Sequence, residues 1–202
     1  MFTQILPSIG CSLEVLDLLC QLVDAALERD DPEFMSSDHL RTLDMLERHL
    51  TNLSQIIRLI SEGGSIADEW TKTLHARNLA ELYRLACMLY LERICRKNAK
   101  ENEKVQRLIS EAMDVMRVVC TCERPWPLFI IAMEARSEEE RKLVMDVLGE
   151  SLKRRPLGNL PLLRRMITAA WVQQDLYEGD EYDPMVIYSS TISGNRVPPS
   201  FT

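Results

Sequence analysis

Glycine is scarce in this chain, with seven among 202 residues, and the loops that glycine builds are missing with it. There is no Gly-x-Gly-x-x-Gly, no phosphate-cradling loop and no Gly-x-Ser-x-Gly elbow, so nucleotide-binding and serine-hydrolase signatures are absent. Histidine is scarcer still. His39, His49 and His75 each lack a second histidine or a carboxylate at metal-binding spacing, and they read as surface or helix-flank residues. The six cysteines, at 11, 20, 87, 95, 120 and 122, form no Cys-x-x-Cys pair, which argues against a thiolate zinc site. Disulfide frameworks belong to short chains with weak cores, and a chain of this length has an ample one. Four of the cysteines fall inside helical apolar patterns, where a reduced cysteine acts as a small hydrophobe.

Excess basic charge is also lacking. The net charge is −7, whereas nucleic-acid affinity comes largely from lysine and arginine neutralising phosphates. No direct nucleic-acid contact by this chain is expected. No apolar run approaches the roughly 20 residues that span a bilayer, and "MFTQILPSIG" carries no positive leader region. A soluble intracellular protein without a membrane partner is the expectation.

What is present is helical. Leucine, methionine, glutamate and arginine are plentiful, and all are good helix formers. Ser12 is placed to cap a helix with Leu13, Leu16, Leu19, Leu22, Val23, Ala26 and Leu27 on its apolar side, ended by Pro32. "SSDHL" restarts the chain. Leu40, Leu43, Leu46, Leu50, Leu53, Ile57 and Ile60 form one stripe, stopped by Gly63 and Gly64. Ser65 to about Lys97 reads as helix, with a break near Thr73; its second half is apolar on most sides and should be central. "KNAKENEK" is a charged connection. Val105 to Cys120 is amphipathic, with Leu108, Ile109, Ala112, Met113, Met116 and Val119 inward. From Tyr177 onward turn signals dominate, apart from an extended piece at Met185 to Ser189. The fold expected is all-α: a single helical bundle of about six to eight helices. It forms one domain over residues 1–176, with an irregular tail over 177–202.

The segment "RPWPLFIIAMEARSEEER", Arg124 to Arg141, holds the sharpest contrast. Pro127 suits the first turn of a helix. Pro125 and Pro127 bias Arg124 and Trp126 toward extended geometry. Leu128 to Met133 is apolar all round, so its helix should be buried on every side. Glu134 at its end then needs a partner, and Arg141 or the nearer Arg136 is placed to supply one. Ser137 and Glu140 have capping-box spacing for a helix from Glu138 to about Arg155. Three glutamates near its start and "KRR" near its end suit the helix dipole. A last helix runs from about Pro161 to Leu176.

Two further patterns bear on function. "RDDPEF" offers Asp30, Asp31 and Glu33, as in the aspartate-rich magnesium motifs of helical prenyl-diphosphate enzymes. Pro32 breaks the helix that would align them, and a solvated turn explains them as well. "LKRRP" and the pair Arg164, Arg165 are candidates for a nuclear import signal, although cations at helix ends are common for dipole reasons alone.

"WPLFIIAMEARSEEERKLVMDVL" resembles the signature of the fungal-specific transcription factor domain, second type. Trp126, Pro127, Glu134, Ala135 and Arg141 match position by position. "ARNLAELYRLACMLYLERI" resembles that family's tyrosine helix through Tyr83, Tyr90 and Leu91. "ITAAWVQQD" resembles its closing motif through Trp171 and Asp175, and "SIGCSLEVLDLLCQL" its first helix. The resemblance covers about Ile9 to Asp175 and is strongest after Arg77. Each motif is weak alone, but the four in order are fairly specific.

The resemblance implies a regulatory, non-enzymatic region of a nuclear transcriptional regulator. It would work by contacts with proteins of the transcription machinery or with a second copy of itself, with a small-molecule effector as a further candidate partner, and without a cofactor. Members of this family mostly carry an N-terminal zinc binuclear cluster, and the six cysteines here do not have that spacing. A fragment, a truncated gene product and a regulator without its DNA-reading part all fit. A bundle of this size can enclose an apolar pocket. Met88, Met113, Met116 and Met133 are candidates to line it, or else they fill gaps in the core. The alternatives are a cytosolic helical scaffold and, more distantly, the magnesium-dependent enzyme.

Overall fold

Leu13–Asp24 (α1) begins at Ser12, whose hydroxyl accepts the Val15 N–H at 3.4 Å. The structure is a computed structural model and describes residues 2–6, 8–57, 66–154 and 159–176. It is all-α in bulk: seven α-helices and one small sheet among the described residues. The chain divides into two compact units, Met1–Arg96 and Lys97–Thr202. None of the described helices is long and apolar enough to cross a membrane. The expected tail with its extended piece, the Gly63–Gly64 stop, and Pro156 and Gly158 all lie outside the described residues.

In the first unit, α1 buries Val15, Leu18 and Leu22, while Leu13 and Val23 are exposed. The inward stripe is therefore turned from the expected one, because α1 packs on two helices and the sheet at once and is buried along a different line. Ser36 caps Ser37–Thr51 (α2), its hydroxyl accepting the His39 N–H at 3.1 Å. His39 is buried at this start. Its Nε2 lies 2.9 Å from the carbonyl of Ala25, just past α1, and its Nδ1 accepts the Met35 N–H at 3.1 Å. The "RDDPEF" stretch falls in the connection between α1 and α2, where Asp31 accepts the Glu33 N–H.

The expected stripe along α2 holds for Leu43, Leu46 and Leu50 and then fails. Asn52 ends the helix, its backbone and side-chain N–H groups both donating to the Arg48 carbonyl. Ser54–Ile56 is a strand instead (β3). It pairs in parallel with Phe2–Leu6 (β1), which pairs antiparallel with Cys11–Ser12 (β2). Gln55 fastens this sheet. Its Oε1 accepts the Ser12 N–H at 2.9 Å, and its Nε2 donates to the Ala80 carbonyl at 2.7 Å.

Ala80 belongs to Ile66–Tyr90 (α3), the central helix of this unit. The helix runs unbroken through Thr73, whose hydroxyl bonds back to the Glu69 carbonyl. That back-bonding lets a β-branched polar residue stay in a helix. From Leu82 onward almost every side chain of α3 is buried, as its apolar density requires. It continues into a π-helical turn, Leu91–Cys95, closed by the Arg96 N–H on the Leu91 carbonyl. Arg96 then holds Asp44 and Glu47 of α2 at 2.7 and 2.8 Å.

The second unit contains Glu103–Val119 (α4), Pro125–Glu134 (α5), Glu138–Arg154 (α6) and Leu160–Leu176 (α7). Asn102 caps α4 through the Lys104 N–H. The α4 residues expected to face inward are buried, and Cys120 closes the helix at φ 57°. Ser137 and Glu140 form the expected reciprocal box at the start of α6. Burial opposes ionisation of Glu140, but the N–H groups of Arg136 and Ser137 outweigh it and hold its carboxyl below the ordinary range.

Candidate functional site

All ten residues of α5 are buried. The helix starts two residues earlier than the sequence suggests. Arg124 is extended, as a residue before proline should be, but Trp126 is helical although Pro127 follows it. Burial of the Trp126 ring, which is 4% exposed, outweighs a bias that is only a preference.

A buried helix creates a problem at its C-terminal end. Its last carbonyls have no partner within the helix, and here water does not reach them. Three side chains from other elements solve it. The Trp171 indole N–H donates to Ala132 at 2.8 Å, and Gln174 Nε2 donates to Met133 at 2.7 Å. Lys100 Nζ donates to the carbonyl of Glu134. Trp171 and Gln174 are one turn apart on α7, so a single helix face delivers both.

Arg141 completes the arrangement, and not as the sequence suggests. Its partner is Asp175 of α7, held by a two-pronged fork at 2.8 and 2.6 Å, rather than Glu134. The reason is position. From the first turns of α6 its guanidinium lies over the Trp171 ring, 5.2 Å from the centroid, a favourable place for a cation. The fork raises the Arg141 pKa further and holds the Asp175 carboxyl below its ordinary value. Glu134 is itself buried.

Most of the motif residues thus meet in one clasp. Glu134, Arg141, Trp171 and Asp175 take part directly. Trp126 and Pro127 form the other end of the clasped helix, and Ala135 is its buried C-cap. Tyr83 and Tyr90 lie elsewhere, buried on α3 in the first unit. Gln174 and Lys100 carry no sequence signal of this role; an amide and one lysine among many stand out in no pattern. The clasp joins α5, α6 and α7, and its donors are spent on carbonyls and a carboxylate, which suits holding helices in register.

Met113 and Met116 of α4 and Met133 of α5 are buried in the second unit, and Met88 is buried on α3 in the first. None of these methionines lines either of two surface clefts found among the described residues. One, of about 500 Å³, lies between β3 and α3. The other, of about 550 Å³, lies along α7. Among the described residues no group of His, Cys, Asp and Glu is placed to hold a metal ion.

Comparison with known proteins agrees with the motif residues. The family model of the fungal specific transcription factor domain matches residues 3–189. The chain is also similar to the transcription factor iacI of Pestalotiopsis fici (strain W106-1 / CGMCC3.15140), at 28% identity over 195 residues. That match covers 96% of this chain and 47% of the relative, so the chain spans about half the length of that protein. No solved structure matches it. The chain belongs to the fungal-specific transcription factor domain family.

Proposed function

We propose that this chain is a regulatory region of a fungal transcriptional regulator, working in the nucleus through protein contacts and not by gripping DNA itself. The observation that carries the reading is the family match over residues 3–189. The clasp adds support, because three residues that mark the family, Arg141, Trp171 and Asp175, hold α5, α6 and α7 together. The acidic balance, −7, favours protein partners over phosphate backbone. A small apolar effector is compatible with this role, but the four buried methionines line neither described cleft and read as core residues.

The test is a fusion of the chain to a heterologous DNA-binding module at a reporter promoter in a fungal host. Reporter output should differ from that of the module alone, and Trp171→Ala should abolish the difference. Output equal to that of the module alone would overturn the reading. So would retardation of duplex DNA by the isolated chain at about 0.15 M salt, where an acidic domain should not bind.

A further inference from the structure

Arg164 and Arg165 are the residues that neither the clasp nor helix electrostatics accounts for. Lys153 and Arg154 sit in the last turn of α6, where the dipole favours cations. The two arginines instead sit in the N-terminal half of α7, whose last turn carries no basic residue. Both are exposed, and among the described residues neither guanidinium has a carboxylate partner. The only carboxylate of α7, Asp175, is already held by Arg141.

The two arginines flank an apolar strip on the outward side of the same helix. Ala169 and Val172 line the cleft with them. Val172 is 54% exposed and Leu176 is 77% exposed. Arg165, Ala169, Val172 and Leu176 follow one another at spacings of three and four, so they share one face. The opposite face of α7 is committed to the clasp through Trp171 and Gln174. An exposed apolar strip on a helix face is what an amphipathic partner helix takes.

Charge says which partner. The molecule is acidic, yet the charged residues lining this cleft are both cations. A second copy packed through this same face presents the same arginines and adds no acid to it. We propose that the outward face of α7 docks an amphipathic helix of a partner protein. Its apolar ridge would lie on Ala169, Val172 and Leu176, and its flanking carboxylates would meet Arg164 and Arg165. This rests on the reading that the region works through protein contacts, and it names the surface and the chemistry of the partner.

The test uses the full chain and a fluorescein-labelled, helix-stapled peptide with leucines at i, i+4, i+7 and i+11 and glutamates on both flanks. A second peptide carries lysine in place of each glutamate. Fluorescence anisotropy should show saturable binding of the glutamate peptide that weakens with added salt. The double variant Arg164→Glu/Arg165→Glu should weaken it by roughly tenfold or more and gain the lysine peptide. Val172→Asp should weaken both pairings. All the substituted side chains are exposed, so the variants should melt with the parent.

Absence of saturable binding overturns the proposal, as does binding indifferent to both arginines and to Val172. Sedimentation equilibrium showing a dimer that Val172→Asp dissolves would also overturn it, by giving the face to a second copy. A chain active in the reporter assay but unable to bind the peptide overturns this surface alone and leaves the regulatory reading standing.

Discussion

The indole N–H of Trp171 reaches the main-chain carbonyl of Ala132 at 2.8 Å, across 39 positions of sequence. That carbonyl belongs to a helix end closed off from water, and its other hydrogen bond, from the Ala135 N–H, is 3.2 Å long. Trp171→Phe keeps most of the ring and removes the donor. It should destabilise the chain by about 1–2 kcal/mol, the cost of a buried acceptor losing one of its partners. Val172→Ala, one residue away on the exposed side, should change stability by no more than about 0.5 kcal/mol. Urea unfolding followed by circular dichroism measures both. Equal midpoints for Trp171→Phe and the parent would mean the bond contributes nothing.

The Arg141–Asp175 fork has a pH signature. The hydrogen bonds from Arg141 hold the Asp175 carboxyl below its ordinary value of 3.8. A carboxyl depressed in the folded state binds protons more readily when unfolded, so its stabilisation is complete above the unfolded-state value. It is lost as the pH falls through the lower folded-state value. Asp175→Asn should therefore melt below the parent at neutral pH, and the two curves should converge as the pH drops below about 4. Because the carboxylate is half exposed, salt near 1 M should also narrow the gap. A gap that does not change from pH 7 to pH 3 would mean that lost packing, not the ion pair, explains the variant.

The helices were legible because each declares itself locally. Ser12, Ser36 and Ser137 stand where caps should stand and do cap, and the stripe of α4 faces inward as its spacing requires. The sheet was not legible. Ser54–Ile56 is three residues long, too short to show an alternating period, and it continues the leucine spacing of α2 without a proline or glycine between. Its partner is β1, some fifty positions away, and nothing local announces that pairing. In the clasp, Trp171 and Asp175 could be picked out through the family pattern. Which arginine would meet which carboxylate depended on how α6 and α7 cross, and sequence spacing carries no such information.

Gln55 concentrates the stability of the small sheet in one side chain. It accepts from the Ser12 N–H at the start of α1 and donates to the Ala80 carbonyl in the middle of α3. Gln55→Ala removes both bonds and should cost about 1–2 kcal/mol. Gln55→Glu keeps an acceptor for Ser12 but sets a carboxylate against the Ala80 carbonyl, and it should be worse than alanine at neutral pH. Hydrogen exchange at the Ser12 amide should accelerate in Gln55→Ala and stay slow in Gln55→Glu, which keeps the acceptor. An unchanged Ser12 amide in Gln55→Ala would show that its protection comes from strand pairing and not from Gln55.

The six thiols should divide by burial. Cys20 and Cys120 are exposed, while Cys11, Cys87, Cys95 and Cys122 are buried. Burial pushes the Cys122 thiol up to about 11, against the smaller lowering effect of a hydrogen bond with the Arg124 backbone, and burial raises Cys87 as well. The thiolate is the reactive form, so both accessibility and ionisation protect these residues. Iodoacetamide at about pH 8 should alkylate Cys20 and Cys120 in the native chain, near the ordinary thiol pKa. The other four should react only as urea unfolds it, and mass spectrometry of proteolytic fragments resolves each site. Cys122 is the informative one: its N–H is held by Ser151 of α6 at 2.7 Å, and the Ser151 hydroxyl in turn donates to the Val147 carbonyl. Ser151→Ala leaves that buried N–H without its acceptor and should raise the native alkylation rate of Cys122 well before global unfolding. If Cys122 in that variant stays as protected as Cys87, Ser151 does not hold the segment leading into α5.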